Sequence, residues 1–395
     1  MRISYVTLHD LTHGAAYGVQ IMQMCRAFAR LGHHVELYSA GGRDLSLPTR
    51  LTRIQALYGD EIPFSMRFFP SRMALGRFKM LGGLPGSVRA IKGTQSELVY
   101  CRGSWEVLSL ARIGPPVIFE AHATRLHEEF GLVDWILRSR TVRASRLPNL
   151  HLFVPISKAL AKVWQKLGVP VEKIHVAHDA VSLSLFEPVL TIGEARLRLG
   201  LQENRPVVLY AGSLYQDRGL DLLLDAAKAL PDYCFWILGG SEGDIARSKD
   251  AANSAGVTNV IFLGFVAHSR VPLYLFAADV LLMLWTWKVP TIATCSPLKM
   301  FEYMAAQRTI VGPAFPTIVE VLEDGVDAIL FEPDNLPEMV KAIRRGVEES
   351  HRGKMAEAAR RKAEAHYTWE QRCKGILEAF AQRSQPKSML PSVGG

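Results

Sequence analysis

Apolar residues along this chain change period repeatedly, from short β-like runs to stretches spaced as on a helix. Arg2-Ile3-Ser4-Tyr5-Val6-Thr7 reads as a strand, and a Gly-containing loop follows over 13–18. Ile21, Met22, Cys25, Phe28 and Leu31 then recur at helical spacing, and Gly32 ends that helix. His34-Val35-Glu36-Leu37-Tyr38-Ser39 is the next strand, with further strands expected at 98–101, 117–120 and 152–156. The second half restarts the rhythm. A strand at 206–210 precedes a helix from about 220 to 230, and 234–238 runs into Gly239-Gly240. More strands are expected at 260–263, 280–283 and 309–311. Strands separated by helical patterns imply parallel pairing through crossover helices. The expected architecture is therefore α/β: two facing Rossmann-like, doubly wound domains joined by a linker near 181–195. In such sheets ligands bind beyond the carboxyl ends of the strands.

Composition adds that the chain is globular, with 49% hydrophobic and 21% charged residues and a length of 395 residues that accommodates two cores. No apolar run is long enough to cross a bilayer, and the N-terminus opens directly into a strand, so neither a span nor a cleaved signal peptide is expected. Cys25, Cys101, Cys234, Cys295 and Cys373 are odd in number and lack a Cys-x-x-Cys pair. That spacing suits reduced thiols in a cytoplasm. The formal charge of +8 is unevenly divided: residues 1–185 carry 23 Lys/Arg against 13 Asp/Glu, and 186–395 carry 23 against 25. Nucleic acid, an anionic membrane surface, an acidic substrate or a merely solvated basic surface would each account for it.

The richest local pattern is Thr294-Cys295-Ser296-Pro297-Leu298-Lys299-Met300-Phe301-Glu302-Tyr303-Met304-Ala305. Pro297 fits the first turn of a helix and Ser296 the cap before it. The free N–H groups of such a turn suit a diphosphate, with Lys299 as an added charge. Glu302 in the second turn is placed to accept from two neighbouring ribose hydroxyls. Periodicity alone favours a plain capped amphipathic helix. Glu242-Gly243-Asp244 follows two glycines and reads as a capped turn; the chain has no Asp-x-Asp, and no catalytic metal is expected.

Context shifts the balance. Tyr210-Ala211-Gly212-Ser213-Leu214, Arg218-Gly219-Leu220-Asp221, Leu238-Gly239-Gly240, Leu263-Gly264-Phe265-Val266, Ala277-Ala278-Asp279-Val280 and 296–305 occur in an order and spacing that resemble one family. It is the family-4 retaining glycosyltransferases of the GT-B fold (glycosyl transferases group 1). Gly18-Val19-Gln20, 31–35 and Val154-Pro155-Ile156-Ser157 extend the likeness to the first half. Tyr367-Thr368-Trp369-Glu370 resembles the start of the final helix, which in this fold crosses back onto the N-terminal domain. The resemblance implies an acceptor-side domain over 1–185 and a nucleotide-sugar-binding domain over 186–365. The crossing helix then occupies 366–384, and a disordered tail 385–395.

It further implies ribose contacts from Glu302 and diphosphate contacts from Arg218 and Lys299. Ser296, Leu298, Ser213, Phe265 and Val266 would lie around the nucleotide-sugar. Gly18, read as sitting before a helix, would admit phosphate or acceptor to the backbone, with an ordinary loop glycine as the alternative. Phe119-Glu120-Ala121-His122 closes a predicted strand, and the resemblance puts His122 against the donor sugar; a lone His there is usually structural. Alternation points Glu120 away. The sequence departs from the family pattern twice. Thr294 stands where the first of two glutamates is usual, and Ser213 stands where the first of two phosphate-binding cations is usual.

The implied activity is metal-independent, retaining transfer of a hexose from a nucleotide-sugar, UDP- before GDP-, to a lipid-linked or glycan hydroxyl. No cofactor and no nucleic acid partner are implied. A nucleotide-sugar isomerase or epimerase of the same architecture, or a non-catalytic nucleotide-sugar or polyanion binder, stay open. Over 64–92, Arg67, Arg72, Arg77, Lys79, Arg89 and Lys92 interleave with apolar residues, and Arg138, Arg140, Arg143 and Arg146 form a second cluster. Both suit peripheral docking on an anionic leaflet as well as solvated helix edges.

Overall fold

The structure is a computed structural model describing residues 1–41, 45–70, 84–122, 131–201, 203–215 and 217–384. The expected tail and the basic residues Arg72, Arg77 and Lys79 lie outside the described residues.

The chain divides into two compact units. The first holds Met1–His178 together with the chain from Trp369 onward; the second holds Asp179–Thr368. In the first unit six strands pair in parallel: β1 (Arg2–Thr7), β2 (His34–Gly41), β3 (Ser65–Pro70), β4 (Leu98–Cys101), β5 (Val117–Ala121) and β6 (Leu150–Pro155). Their order is β3-β2-β1-β4-β5-β6. In the second unit β7 (Val207–Ala211), β8 (Cys234–Leu238), β9 (Val260–Gly264), β10 (Val280–Leu282), β11 (Thr309–Pro313) and β12 (Ile329–Phe331) are ordered β12-β11-β10-β7-β8-β9, again all parallel.

Each sheet is therefore doubly wound, and each reverses direction beside its first strand: between β1 and β4, and between β7 and β10. Such reversals splay the connecting loops and open a crevice at the strands' carboxyl ends. The central strands are buried on both faces, which is why they read as continuous apolar runs and not as alternation. Two of the four edge strands, β3 and β12, escape the sequence reading. Residues 65–70 carry Arg67 and read as part of a basic stretch, and β12 is three residues long.

The stretch 181–195, expected as a linker, is part of the second unit's core. Val181, Phe186, Leu190 and Ala195 are buried there. Val181 N–H donates to the Tyr367 carbonyl, and Glu187 pairs with Arg360. The chain re-enters the first unit at Trp369, and the helix Trp369–Ser384 packs on the helix Ala16–Arg30. An Arg30–Glu370 ion pair at 3.0 Å and an Arg383 bond to the Glu172 carbonyl secure it. All five cysteines are free. Among the described residues no helix is long and apolar enough to cross a membrane.

Candidate functional site

In the second unit the helix Leu298–Ala305 is pinned over the sheet reversal by one side chain. The Tyr303 hydroxyl accepts from Ala211 N–H at the end of β7 and reaches the Leu282 carbonyl at the end of β10. That register puts the helix N-terminus at the crevice. Its N-cap is Pro297, without a side-chain cap bond. Ser296, expected as the cap, accepts instead from Asp179 N–H at 2.9 Å, because its buried hydroxyl points back to the chain entering this unit. Met300 N–H donates to the Pro297 carbonyl at 3.0 Å, and the N–H groups of Leu298 and Lys299 before it are left for another acceptor.

Beside them lie two cations. Lys299 Nζ sits 4.1 Å from the Tyr210 ring centre and 4.9 Å from that of Trp285. Arg218 lies over Tyr215 at 4.4 Å and over the same Trp285 at 5.4 Å. Both Lys299 Nζ and Arg218 Nε are buried and lack a hydrogen-bond partner among the described residues. Burial first, and then the Arg218 charge, push the Lys299 ammonium well below its ordinary pKa. A buried cation without a carboxylate is costly, and an arriving dianion would relieve that cost. Gly212 makes this packing possible: a Cβ there would lie 2.4 Å from Lys299 Nζ.

Glu302 follows one turn along, its Oε1 accepting from His268 Nε2 at 2.6 Å. The second carboxylate oxygen is the one available to a ligand. Arg218, Lys299 and Glu302 are thus gathered at the ends of β7 and β10. Ser213 is exposed and offers its carbonyl to the Tyr210 hydroxyl. Leu298 is half-buried, Val266 packs on the core, and Phe265 is 62% exposed on the loop after β9. Thr294 is buried in the turn before the helix. Sequence reasoning missed His268, Trp285 and Tyr210. The pairing of an aromatic-rich strand end with a lysine on the following helix was the only available signal. Glu242-Gly243-Asp244 is indeed a helix start, with Ser241 and Asp244 forming a capping box.

The first unit has its own polar cluster at the ends of β1, β4 and β5. His122 follows β5 and donates from Nε2 to the Glu120 carboxylate at 2.5 Å. Glu120, expected to point away, does turn from Phe119's face, but His122 lies two residues on and returns to the same side. The carboxylate is fully buried and also meets Gln20, Tyr100 and Arg372. Despite burial, Arg372 first and His122 next hold it well below the usual carboxylate range. Burial, then the Arg102 charge, lowers His122 to about 4. His9, stacked on Tyr17 at 4.2 Å, is lowered to about 3 by burial, Arg102 and His122. Gly18 corrects the expectation: it lies inside the first turn of the helix Ala16–Arg30, and a Cβ there would meet the Tyr58 hydroxyl at 2.1 Å. The bare glycine thus leaves room for the Tyr58 ring against this turn.

Known proteins share this fold. A family profile described as glycosyl transferases group 1 matches residues 205–349, and one described as glycosyltransferase family 4 matches residues 18–185. Alpha-D-kanosaminyltransferase of Streptomyces kanamyceticus is 22% identical over 62% of this chain and 65% of its own. A D-inositol 3-phosphate glycosyltransferase of Xylanimonas cellulosilytica is 26% identical over 55% of this chain and 53% of its own. The chain thus spans between half and two thirds of these curated relatives. In fold, sucrose-phosphate synthase from Thermosynechococcus elongatus superposes with a TM-score of 0.78 at 16% identity, covering 97% of this chain and 98% of that one. Anabaena HepE, solved with UDP and glucose, gives 0.74 at 18% identity, covering 96% and 99%. With one glycosyltransferase profile matched in each half and these neighbours for its fold, the chain belongs to the group 1, family-4 glycosyltransferases of the GT-B fold.

Proposed function

We propose that this chain transfers a hexose from a nucleotide-sugar, UDP- in preference to GDP-, to a hydroxyl acceptor with retention at the anomeric carbon and without a catalytic metal. The observation that carries it is the buried Lys299 ammonium beside Arg218, both without a carboxylate partner among the described residues, with Glu302 one turn further on. Two fixed cations and a helix N-terminus match a diphosphate in charge and geometry. Glu302 would take the two ribose hydroxyls. The Anabaena neighbour, whose structure has also been solved in complex with UDP-glucose, supports UDP as the nucleotide.

Transfer would break the bond from the anomeric carbon to the diphosphate oxygen and form one to the acceptor oxygen on the same face. The acceptor proton passes to the departing diphosphate oxygen. Arg218, Lys299 and the helix N–H groups would stabilise the charge that develops there, so no protein nucleophile is required. His122, held neutral, would contact the donor sugar.

The experiment is incubation of the chain with UDP- and GDP-hexoses in EDTA, following nucleotide release and product configuration by NMR. UDP release with an α-linked product from an α-donor supports the reading. A β-linked product, sugar interconversion without nucleotide release, or binding without turnover would each overturn it. A lipid-linked acceptor at an anionic surface is a second reading, and one face of the first unit favours it. On the helix Leu132–Ser145, Leu132 and Trp135 are 71% and 63% exposed, in line with exposed Arg143 and Arg146. Lys158, Lys162 and Lys166 expose a second basic edge on the helix Lys158–Lys166. Both helices cover the same core.

A further inference from the structure

Glu120 is a carboxylate without exposure, and the proposed transfer gives it no contact with substrate. Donors from four separate parts of the first unit converge on it. Oε1 accepts from Gln20 Nε2 and lies against His122 Nε2, each at 2.5 Å. Oε2 accepts from the Tyr100 hydroxyl and lies 2.9 Å from an Arg372 Nη1. Buried ion pairs seldom stabilise more than apolar side chains of the same volume. This one therefore calls for an explanation other than packing.

The chemistry of His122 supplies one. An ionised carboxylate can only accept, so Nε2 must carry the proton in the bond between them. The ring, kept neutral by its surroundings, then presents Nδ1 as a lone-pair acceptor. His122 is 24% exposed, and among the described residues its hydrogen bond is the one at Nε2. Arg372 adds a mechanical link. It stands in the first turn of the helix Trp369–Ser384, just past the point where the chain re-enters the unit. Its Nε donates to the His178 carbonyl at 2.7 Å and an Nη2 to that of Ala177 at 3.2 Å, the last residues before the chain leaves. One guanidinium thus joins the outgoing chain, the returning helix and Glu120.

We propose that Glu120 and Arg372 are positioning residues for His122: the carboxylate fixes the Nε2–H tautomer so that Nδ1 accepts a hydrogen bond from a donor-sugar hydroxyl, and Arg372 fixes the carboxylate. This rests on the reading of His122 as a contact of the donor sugar. Tautomer control of a working imidazole by an outer carboxylate has a large effect on turnover wherever the other tautomer presents the wrong nitrogen.

The test uses the full chain, labelled with ¹⁵N, and reads the His122 ring nitrogens at pH 7 alongside kcat and KM for UDP release from UDP-glucose. Glu120→Leu removes the acceptor but strands Arg372, so Glu120→Leu/Arg372→Met is made with it, replacing the pair by apolar side chains that fold without a buried charge. Wild type should show a single Nε2–H tautomer. Both variants should show exchange between tautomers and a kcat lowered roughly 10- to 100-fold, as for other outer partners of working imidazoles, with KM little changed. Arg372→Lys, which keeps the charge, should retain the wild-type tautomer. A double variant that keeps a single Nε2–H tautomer overturns the proposal, whatever the turnover. His122→Ala separates the two readings. If it turns over at the wild-type rate, the contact with the sugar falls; if it fails while the double variant keeps its kcat, only the positioning falls.

Discussion

Lys299 shows how far a single residue can be read from its surroundings. Its ammonium is packed between Tyr210 and Trp285 beside Arg218, and its Nζ has no hydrogen-bond partner among the described residues. Such a group lowers the stability of the empty protein and raises its affinity for an anion, the usual exchange at a binding site. Lys299→Met should therefore raise the melting midpoint of the ligand-free chain by about 2–4 °C, the shift expected for about 1 kcal/mol in a domain of this size. The same variant should lose the further rise that UDP produces in wild type; differential scanning fluorimetry reads both. Acid should act on the other unit. Unfolded imidazoles protonate near 6.5, whereas folded His122 and His9 resist protonation until about 4 and about 3. Their contribution is complete above about pH 6.5 and drains away as the pH falls toward the folded values. Glu120, held ionised by Arg372, adds a loss that begins only below the unfolded carboxylate value of about 4.3. Urea titrations at pH 7 and pH 5 should thus differ by on the order of 1–2 kcal/mol per imidazole, with the midpoint lower at pH 5.

At the level of elements, the loops after β7 and β8 set the site more tightly than the strands do. Gly239 has φ +110°, and a Cβ there would lie 2.5 Å from the Gly212 carbonyl oxygen. Gly239→Ala should cost about 1–3 kcal/mol in urea unfolding and displace the loop that admits Lys299. Gly243 is the control: it lies in the helix Glu242–Ser254 with open space around its missing Cβ, so Gly243→Ala should be neutral or stabilise by up to about 1 kcal/mol. The central strands were legible because burial on both faces makes them dense in Val, Ile, Leu and Phe. β3 was hidden because Arg67 interrupts its apolar run, and β12 because three residues carry no period. The helix Leu298–Ala305 was legible from Pro297, but its cap was not. Ser296 looked like a cap in one dimension, and only the fold brings Asp179 to its hydroxyl. For the same reason His268, thirty-four positions before Glu302, could not be paired with it from spacing. Alternation pointed Glu120 away, but it does not register that His122, two residues later, shares its face and bonds to it.

On the scale of the whole molecule, the chain sorts its charge by unit, with the basic excess in the first half and a slight acidic excess in the second. If the face carrying Leu132, Trp135, Arg143 and Arg146 meets an anionic leaflet, the chain should co-sediment with phosphatidylglycerol vesicles at low salt. It should release as salt rises toward about 0.5 M, where screening is short-ranged. Trp135→Ser should weaken that binding without altering the UDP-induced melting shift, and binding to neutral vesicles that survives salt would contradict an electrostatic contact. The family membership rests on both halves, but the central claim rests on one: the second unit holds the nucleotide through Glu302, Lys299 and Arg218. The most direct measurement is the UDP-induced melting shift of wild type beside Glu302→Ala. At about 100 times the dissociation constant, wild type should gain about 2.7 kcal/mol and a corresponding rise in midpoint, and Glu302→Ala should gain little or nothing at the same concentration. A wild type that no nucleotide stabilises, or a Glu302→Ala variant stabilised equally, would contradict it.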